Sequence, residues 1–238
     1  MSVFVIADLH LATVNADKSM EIFGKRWKNY ISRIRDNWQL VVGNEDTVII
    51  PGDISWGLTT SDALEDLLFL DALNGKKIIM KGNHDFWWST VSKLSAFFKD
   101  NNINTIQILN NNAIEIENYI IAGSRGWFTD KSMQNAEENV DYEKIINREG
   151  IRLKMSLDEA KHLSLSTGKE IIAFMHFPPI WSEFQCQPIL ELLKSYDIKR
   201  CYYGHIHGNY LCQECIEYDG IKFYMISADF LNFLPKIV

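Results

Sequence analysis

The stretch Lys77-Ile78-Ile79-Met80-Lys81-Gly82-Asn83-His84-Asp85 ends an apolar run with an amide, an imidazole and a carboxylate at consecutive positions. Packing gives no reason to finish a buried strand that way, whereas metal ligation and proton transfer do. Four other places repeat the pattern: Asp8-Leu9-His10, Gly52-Asp53, His176 and Gly204-His205-Ile206-His207. Five of the six histidines lie in these stretches; His162, in a helical-looking segment, reads as a surface or packing residue. Taken singly, a strand-end histidine is usually hydrogen-bonded packing and a Gly-Asp pair usually a turn. Five such stretches in order, each closing an apolar run, are not what packing alone produces. Carboxylate, imidazole and amide donors without a thiolate favour Mn, Fe, Zn, Co or Ni over copper(I) or iron–sulfur clusters. His205 and His207, two apart, would point to the same side of an extended strand and could serve different metals. Gly52, Gly82 and Gly204 permit the sharp turns that aim such ligands.

The elements that must position these residues alternate at first between strand and helix. Residues 2–7 form a buried strand ending at Asp8, and residues 18–40 carry Ile22, Phe23, Trp27, Tyr30, Ile31, Ile34 and Trp38 at helical spacing. Thr47–Ile50 is a strand ended by Pro51-Gly52-Asp53. Thr59 with Asp62 resembles a capping box before a helix marked by Leu64, Leu67 and Leu68. A strand at Lys76–Lys81 and a helix from near Trp88 to Phe98 continue the alternation, which implies parallel pairing. Ile106–Leu109, Ala113–Ile116 and Tyr119–Ala122 are closely spaced and read as antiparallel strands. Ser124 to Asp141 is long, polar and acidic, as lids often are. Residues 143–166 return to helix, Glu170–Met175 is a buried strand, Gln187–Tyr196 a short helix and Arg200–Tyr203 a strand. Asp219-Gly220 then marks a hairpin between Tyr210–Tyr218 and Ile221–Ser227.

A chain of 238 residues with 47% hydrophobic and 23% charged content builds a globular core, and the absence of a linker or repeat points to one domain over 1–238. The net charge of −7 argues against long nucleic acids and acidic membranes. It does not exclude a small phosphorylated substrate, because bound cations invert the local sign. With no basic leader and no apolar stretch near ~20 residues, the cytoplasm is the expected compartment. The Cys212-Gln213-Glu214-Cys215 spacing lacks a second pair to complete a zinc site, so neighbouring thiols on a strand are the simpler account.

Together the five stretches resemble the calcineurin-like metallophosphoesterase superfamily, whose blocks DxH, GD, GNH(D/E), a lone H and GHxH all stand here without substitution from residue 8 to residue 207. The resemblance is to small bacterial cytosolic members of undefined substrate, and Ser124-Arg125-Gly126-Trp127 and Ser227-Ala228-Asp229-Phe230 add to it. It implies an α/β fold, a four-layer α-β-β-α β-sandwich flanked by helices. It also implies two metal ions, with Mn, Fe or Zn favoured. Asp8, His10 and His207 would hold the first, Asn83, His176 and His205 the second, and Asp53 would bridge them. A shared water turned to hydroxide would then attack phosphorus in a phosphomonoester or phosphodiester. His84, outside the ligand set, would stabilise the transition state or protonate the leaving group, with Asp85 orienting its ring.

Arg125, in a glycine-flanked turn, could grip phosphate bidentately or serve a structural ion pair. Among the aromatics near the ligand stretches, which include Trp56, Phe86 and Trp127, one or two could stack on a base or aryl leaving group. A catalytically silent metal-binding scaffold of the same fold is the alternative from another class. It fits less well because every ligand and His84 are retained. A nuclease is disfavoured by the charge, although a short oligonucleotide or cyclic nucleotide would still fit.

Overall fold

The computed structural model describes residues 1–128 and 141–238. Residues 129–140, and with them most of the expected lid, lie outside the described residues. In chain order the strands are β1 (Val3–Val5), β2 (Thr47–Ile50), β3 (Lys76–Ile79), β4 (Ile106–Ile108), β5 (Ile114–Glu115), β6 (Tyr119–Ser124), β7 (Glu170–Met175), β8 (Ile180–Trp181), β9 (Phe184–Gln185), β10 (Arg200–Tyr203), β11 (Cys215–Tyr218), β12 (Ile221–Met225) and β13 (Lys236–Ile237). The α-helices are α1 (Tyr30–Val41), α2 (Leu64–Ala72), α3 (Val91–Asp100), α4 (Tyr142–Thr167) and α5 (Gln187–Ser195). The class is therefore mixed α/β, with two mainly parallel sheets and five α-helices among the described residues. The chain divides into two compact units, one of Met1–Ile108, His205–Leu211 and Ile226–Val238, the other of Leu109–Gly204 and Cys212–Met225.

The first unit holds a sheet in the order β13-β1-β2-β3-β4, parallel throughout except for β13. β1 to β3 are short and buried along nearly their whole length, as central parallel strands must be, and all but the lysines of β3 and Thr47 are apolar. Phe4, Ile6, Val48, Ile50 and Ile79 pack in one cluster with Tyr30, Ile34 and Trp38 of α1, Leu67 and Leu70 of α2, and Leu94 and Phe98 of α3. The three- and four-residue spacings along each helix are what bring those side chains onto one face. Thr59 and Asp62 make the reciprocal capping hydrogen bonds, the Thr59 N–H donating to Asp62 and the Asp62 N–H to the Thr59 hydroxyl, one turn ahead of α2. At the other end of α2 the buried Lys77 ammonium donates to the carbonyls of Asp71, Leu73 and Gly75, at 3.1, 2.6 and 2.9 Å. A cation there satisfies carbonyls that the helix leaves without partners, even though burial lowers the Lys77 pKa to about 8.

Two expectations need correction in this unit. Residues 18–40 are not one helix: 3-10 turns run over Met20–Phe23 and Lys25–Trp27, and α1 starts only at Tyr30. Gly24 with φ 118° and Asn29 with φ 55° break the helical path, and the break lets Trp27 enter the core rather than continue the α1 stripe. Likewise β4 is not part of an antiparallel set but pairs parallel with β3. The helix α3 between them supplies the crossover that a parallel pair requires.

The second unit holds a sheet ordered β11-β12-β10-β7-β6-β5, parallel in its four inner strands and antiparallel at both edges. α4 buries Leu153, Leu157 and Ala160 and ends at Gly168, whose left-handed φ of 72° closes the helix through an N–H bond to the Ser164 carbonyl. The hairpin between β11 and β12 turns at Asp219 and Gly220, with φ of 50° and 78°, both in the region that two-residue hairpin loops favour. Cys186, Cys201, Cys212 and Cys215 are thiols rather than disulfides. Among the described residues no helix is long and apolar enough to cross a membrane.

Candidate metal centre

Asp8, Asp53 and Asn83 each follow the C-terminal end of one of three adjacent parallel strands, β1, β2 and β3. Ligands collect at that edge of a parallel sheet. The loops leaving β1 and β2 run side by side, because Asp8 N donates to the Gly52 carbonyl at 3.1 Å, His10 N to Asp53 at 2.9 Å and Leu11 N to Ile54 at 2.8 Å. The segment His205–Leu211 belongs to the same unit, and the His205 N–H donates to both Asp8 carboxylate oxygens at 2.8 and 3.1 Å.

These constraints assemble two neighbouring donor groups. Asp8, His10 and His207 present ligand atoms all within 4.8 Å of one another. His10 Nε2 lies 3.1 Å from His207 Nε2, which is 3.9 Å from Asp8 Oδ1. In the second group a ring nitrogen of His205 comes within 4.8 Å of the Asp53 carboxylate, and His205 Nδ1 is 2.9 Å from Asn83 Oδ1. Asp53 also reaches the first group, with Oδ2 3.6 Å from His10 Nε2. His176, buried at the end of β7 in the other unit, is set there by its main-chain N–H, which donates to the Arg125 carbonyl at 3.2 Å.

Three features of these residues fit a cation. First, Asp8, His10, Asp53 and His205 all take left-handed backbone conformations, with φ of 60°, 45°, 54° and 71°. Such a conformation costs a non-glycine residue about 1–3 kcal/mol. A fold needing only the turn would place glycine there, so the side chains are what the site requires. Second, the Nε2 atoms of His10 and His207 lie 3.1 Å apart beside buried carboxylates, a set of donor atoms close enough to share one cation. Third, burial by itself would lower the His207 pKa, but the carboxylates of Asp229, Asp8 and Asp53 outweigh it and raise the ring to about 9. A position that holds an extra proton so firmly is one of negative potential.

Asp229, to which the sequence reading assigned no role of its own, stands behind the first donor group. Fully buried, it takes the His207 Nδ1 hydrogen at 2.9 Å through Oδ1, while Oδ2 accepts from Gly208 N at 3.0 Å and the Tyr210 hydroxyl at 3.1 Å. This anchors the hydrogen on Nδ1, so that Nε2 is the nitrogen a metal would take in place of a proton, as carboxylates behind metal-binding histidines arrange. Its signal was present: an acid directly after the apolar run Tyr224–Ala228 repeats the pattern of Asp8 and Asp53. Asp229→Asn removes the charge and turns an amide against the Gly208 N–H. Metal affinity of the Asp8/His10/His207 group should fall about 10–100-fold, read by elemental analysis after dialysis against graded chelator. Unchanged occupancy would remove Asp229 from the site.

His84 and Asp85 occupy different positions from each other. The His84 ring is half-buried and sits against Trp56 at 4.6 Å and His10 at 5.5 Å between centroids. Its main-chain N–H donates to Asp53 Oδ1 at 2.8 Å. Asp85, expected to orient that ring, instead turns its buried carboxylate into a ring of N–H donors. They are Gly82 at 2.8 Å, Asp53 and Ile54 at 2.9 Å, Ser55 at 3.3 Å and Trp87 Nε1 at 3.0 Å. Burial and then the Asp53 charge push Asp85 up to about 6, against the pull of those N–H groups. It thus ties the loops after β2 and β3 together from beneath. Arg125 meets the fully buried Glu149 at 3.4 Å and stacks over Trp127 at 4.7 Å. Arg148 and Arg152 share the same carboxylate.

The model of the calcineurin-like phosphoesterase family matches residues 1–209. No curated protein matches the chain. Among solved structures, a protein of unknown function from Aquifex aeolicus, AQ665, is similar at 17% identity, covering 99% of this chain and 95% of its own, with a TM-score of 0.47. TT1561 of Thermus thermophilus is similar at 10% identity, 99% and 97% coverage and a TM-score of 0.55. A further structure at 10% identity covers 94% and 89% with a TM-score of 0.56. The last two likenesses speak to the fold alone. The matched span contains all five ligand stretches, and a family model that covers most of the chain settles its membership; the chain belongs to the calcineurin-like phosphoesterase family.

Proposed function

We propose that the protein hydrolyses phosphomonoesters or phosphodiesters with two metal ions bound. Asp8, His10 and His207 would hold one; Asn83, His176 and His205 would hold the other; Asp53 would serve both. When bound, such ions draw charge from the phosphoryl oxygens and bring a water to ionise near neutral pH. The chain's own residues supply the rest. Asp8 is held by the His205 N–H and Asp53 by the His84 N–H, so both carboxylates are positioned before anything binds. Asp229 keeps the proton of His207 on Nδ1 and so frees Nε2. A ring nitrogen of His84 carries the proton that the departing alkoxide takes up. Arg125 adds a contact to the phosphate, from a side chain already steadied by Glu149 and Trp127.

The observation that carries this reading is the convergence of carboxylate and imidazole donors on left-handed backbone at one sheet edge. It is tested with p-nitrophenyl phosphate and bis-p-nitrophenyl phosphate, on chelated protein and again after Mn²⁺ is added. Cleavage restored by the metal is the expected result, and the ratio between the two substrates separates monoesterase from diesterase. Protein shown to hold two metals that cleaves neither of these nor any nucleotide ester would instead be a metal-binding scaffold.

A further inference from the structure

Beside the first donor group lies a cavity of about 410 Å³ within the first unit. The imidazoles of His10, His84 and His207 line one side of it. Met20, Phe23, Trp27, Trp56 and Tyr210 make the others. Among the described residues no carboxylate, ammonium or guanidinium group lines it. The volume lies in the range of pockets that enclose whole organic ligands, and is far more than one phosphoryl group needs.

The surrounding contacts show why the walls are rigid. Trp56 stacks on His10 at 4.9 Å and 25° and packs against His84 at 4.6 Å, so its ring is held by the site itself. Trp27 is 2% exposed and packs on His207 at 5.5 Å and on Phe233 at 5.2 Å. The turn that carries Met20, Phe23 and Trp27 is pinned from behind. Arg26 donates through Nε to the Asp229 carbonyl at 2.8 Å and through Nη2 to the Phe230 carbonyl at 3.3 Å, and stacks over Tyr210 at 4.8 Å. Phe23 differs from these, being 65% exposed. With Ile22 beside it 75% exposed, Phe23 forms an apolar edge open to water next to the cavity it lines, a surface suited to an apolar ligand.

We propose that this cavity receives the organic part of the substrate, and that this part is a flat, uncharged aromatic group carried close to the phosphate. The proposal rests on the phosphoesterase reading for the position of the phosphate. The imidazoles on one side of the cavity place the phosphoryl end there. The aromatic walls offer stacking faces and edges; the described lining has no carboxylate to pair with an ammonium, and the Tyr210 hydroxyl is already bonded to Asp229. An aryl or arylmethyl phosphoester matches both ends, whereas an aminoalkyl or polyol phosphate matches only one.

The test uses non-hydrolysable probes on the metal-loaded protein. Calorimetric titration should find benzylphosphonate binding about tenfold more tightly than ethylphosphonate, since a stacked ring contributes on that order. Phe23→Ala and Trp56→Leu, each checked for wild-type metal content and folding, should erase most of that difference. Equal affinities for the two phosphonates, or a benzyl preference that survives both substitutions, would overturn the proposal, as would failure of both to bind. A failure of the phosphoesterase reading looks different: the benzyl preference is present and depends on Phe23, but no phosphoester is turned over.

Discussion

Replacing His84 with asparagine lowers kcat by about 10²–10⁴-fold, the usual contribution of a positioned proton donor, and leaves metal content at its wild-type level. The change is a selective one. The main-chain N–H that holds Asp53 Oδ1 at 2.8 Å remains, so the neighbouring carboxylate keeps its place. The ring that is lost packs against Trp56 and His10 and is not among the atoms of either donor group. What disappears is a titratable nitrogen beside the site. Steady-state kinetics and elemental analysis on the same preparation decide the matter. A variant that turns over normally makes His84 a wall residue, and one that loses metal makes it a ligand.

Gly82→Ala is expected to disassemble the site. Gly82 has no left-handed φ to explain it; the reason for glycine is proximity. A Cβ there would stand 2.0 Å from Asp53 Oδ1, 2.3 Å from Asp53 N and 2.7 Å from Asp53 Cγ. Two of those atoms belong to a side chain held by the His84 N–H, and the third is backbone, so no small rotation relieves the overlap. The loops after β2 and β3 must separate. Separation strains the Gly82 and Asp53 N–H bonds to Asp85 at 2.8 and 2.9 Å and leaves a buried carboxylate short of donors. A loss of about 2–4 kcal/mol follows from that mechanism, equivalent to a fall in Tm of about 5–15 °C for a chain of this size. Metal held through Asp53 should be lost with it. Gly150→Ala is the control, because a Cβ on that helical glycine meets nothing within 4 Å, and it should be neutral or slightly stabilising. Equal behaviour of the two variants would refute the proximity argument.

How much of this was legible in the sequence differs from element to element. The ligand stretches were, because a polar, metal-type residue after a short apolar run breaks a pattern that packing would have continued. The strands at Glu170–Met175 and Arg200–Tyr203 and the Asp219-Gly220 hairpin were readable for the same reason, since each has a sharp boundary. The helix over 18–40 failed because apolar spacing is blind to backbone breaks. Trp27 fits a helical stripe on paper, and only Gly24 and the left-handed Asn29 show that it arrives by another route. β4 was assigned the wrong neighbours because Ile106-Gln107-Ile108 alternates as any edge strand does, whichever way its partner runs. Gly52 does sit at a positive φ of 103°, as a turn-forming glycine should. The need at Gly82 is set by a residue some thirty positions earlier, which no local pattern records. Asp85 illustrates the same limit. Its type suggested a role toward its neighbour His84, while its five N–H partners are mostly residues of the preceding loop.

The division of the chain has a bearing on the order in which the protein assembles. The unit that carries most of the donor groups draws on residues near both ends: β13 closes its sheet against β1, Phe233 fills its core, and Asp229 stands behind His207. During synthesis the strands β1 to β4 leave the ribosome early and then wait for more than a hundred residues before β13, Phe233 and Asp229 emerge. The other unit, drawn from Leu109–Gly204 and Cys212–Met225, has all its residues available sooner. Contacts of such long sequence separation form late and slowly. The edge that carries these donor groups is therefore completed only after all residues of the other unit have emerged, and until then a nascent chain carries its early imidazoles and carboxylates without the scaffold that aims them.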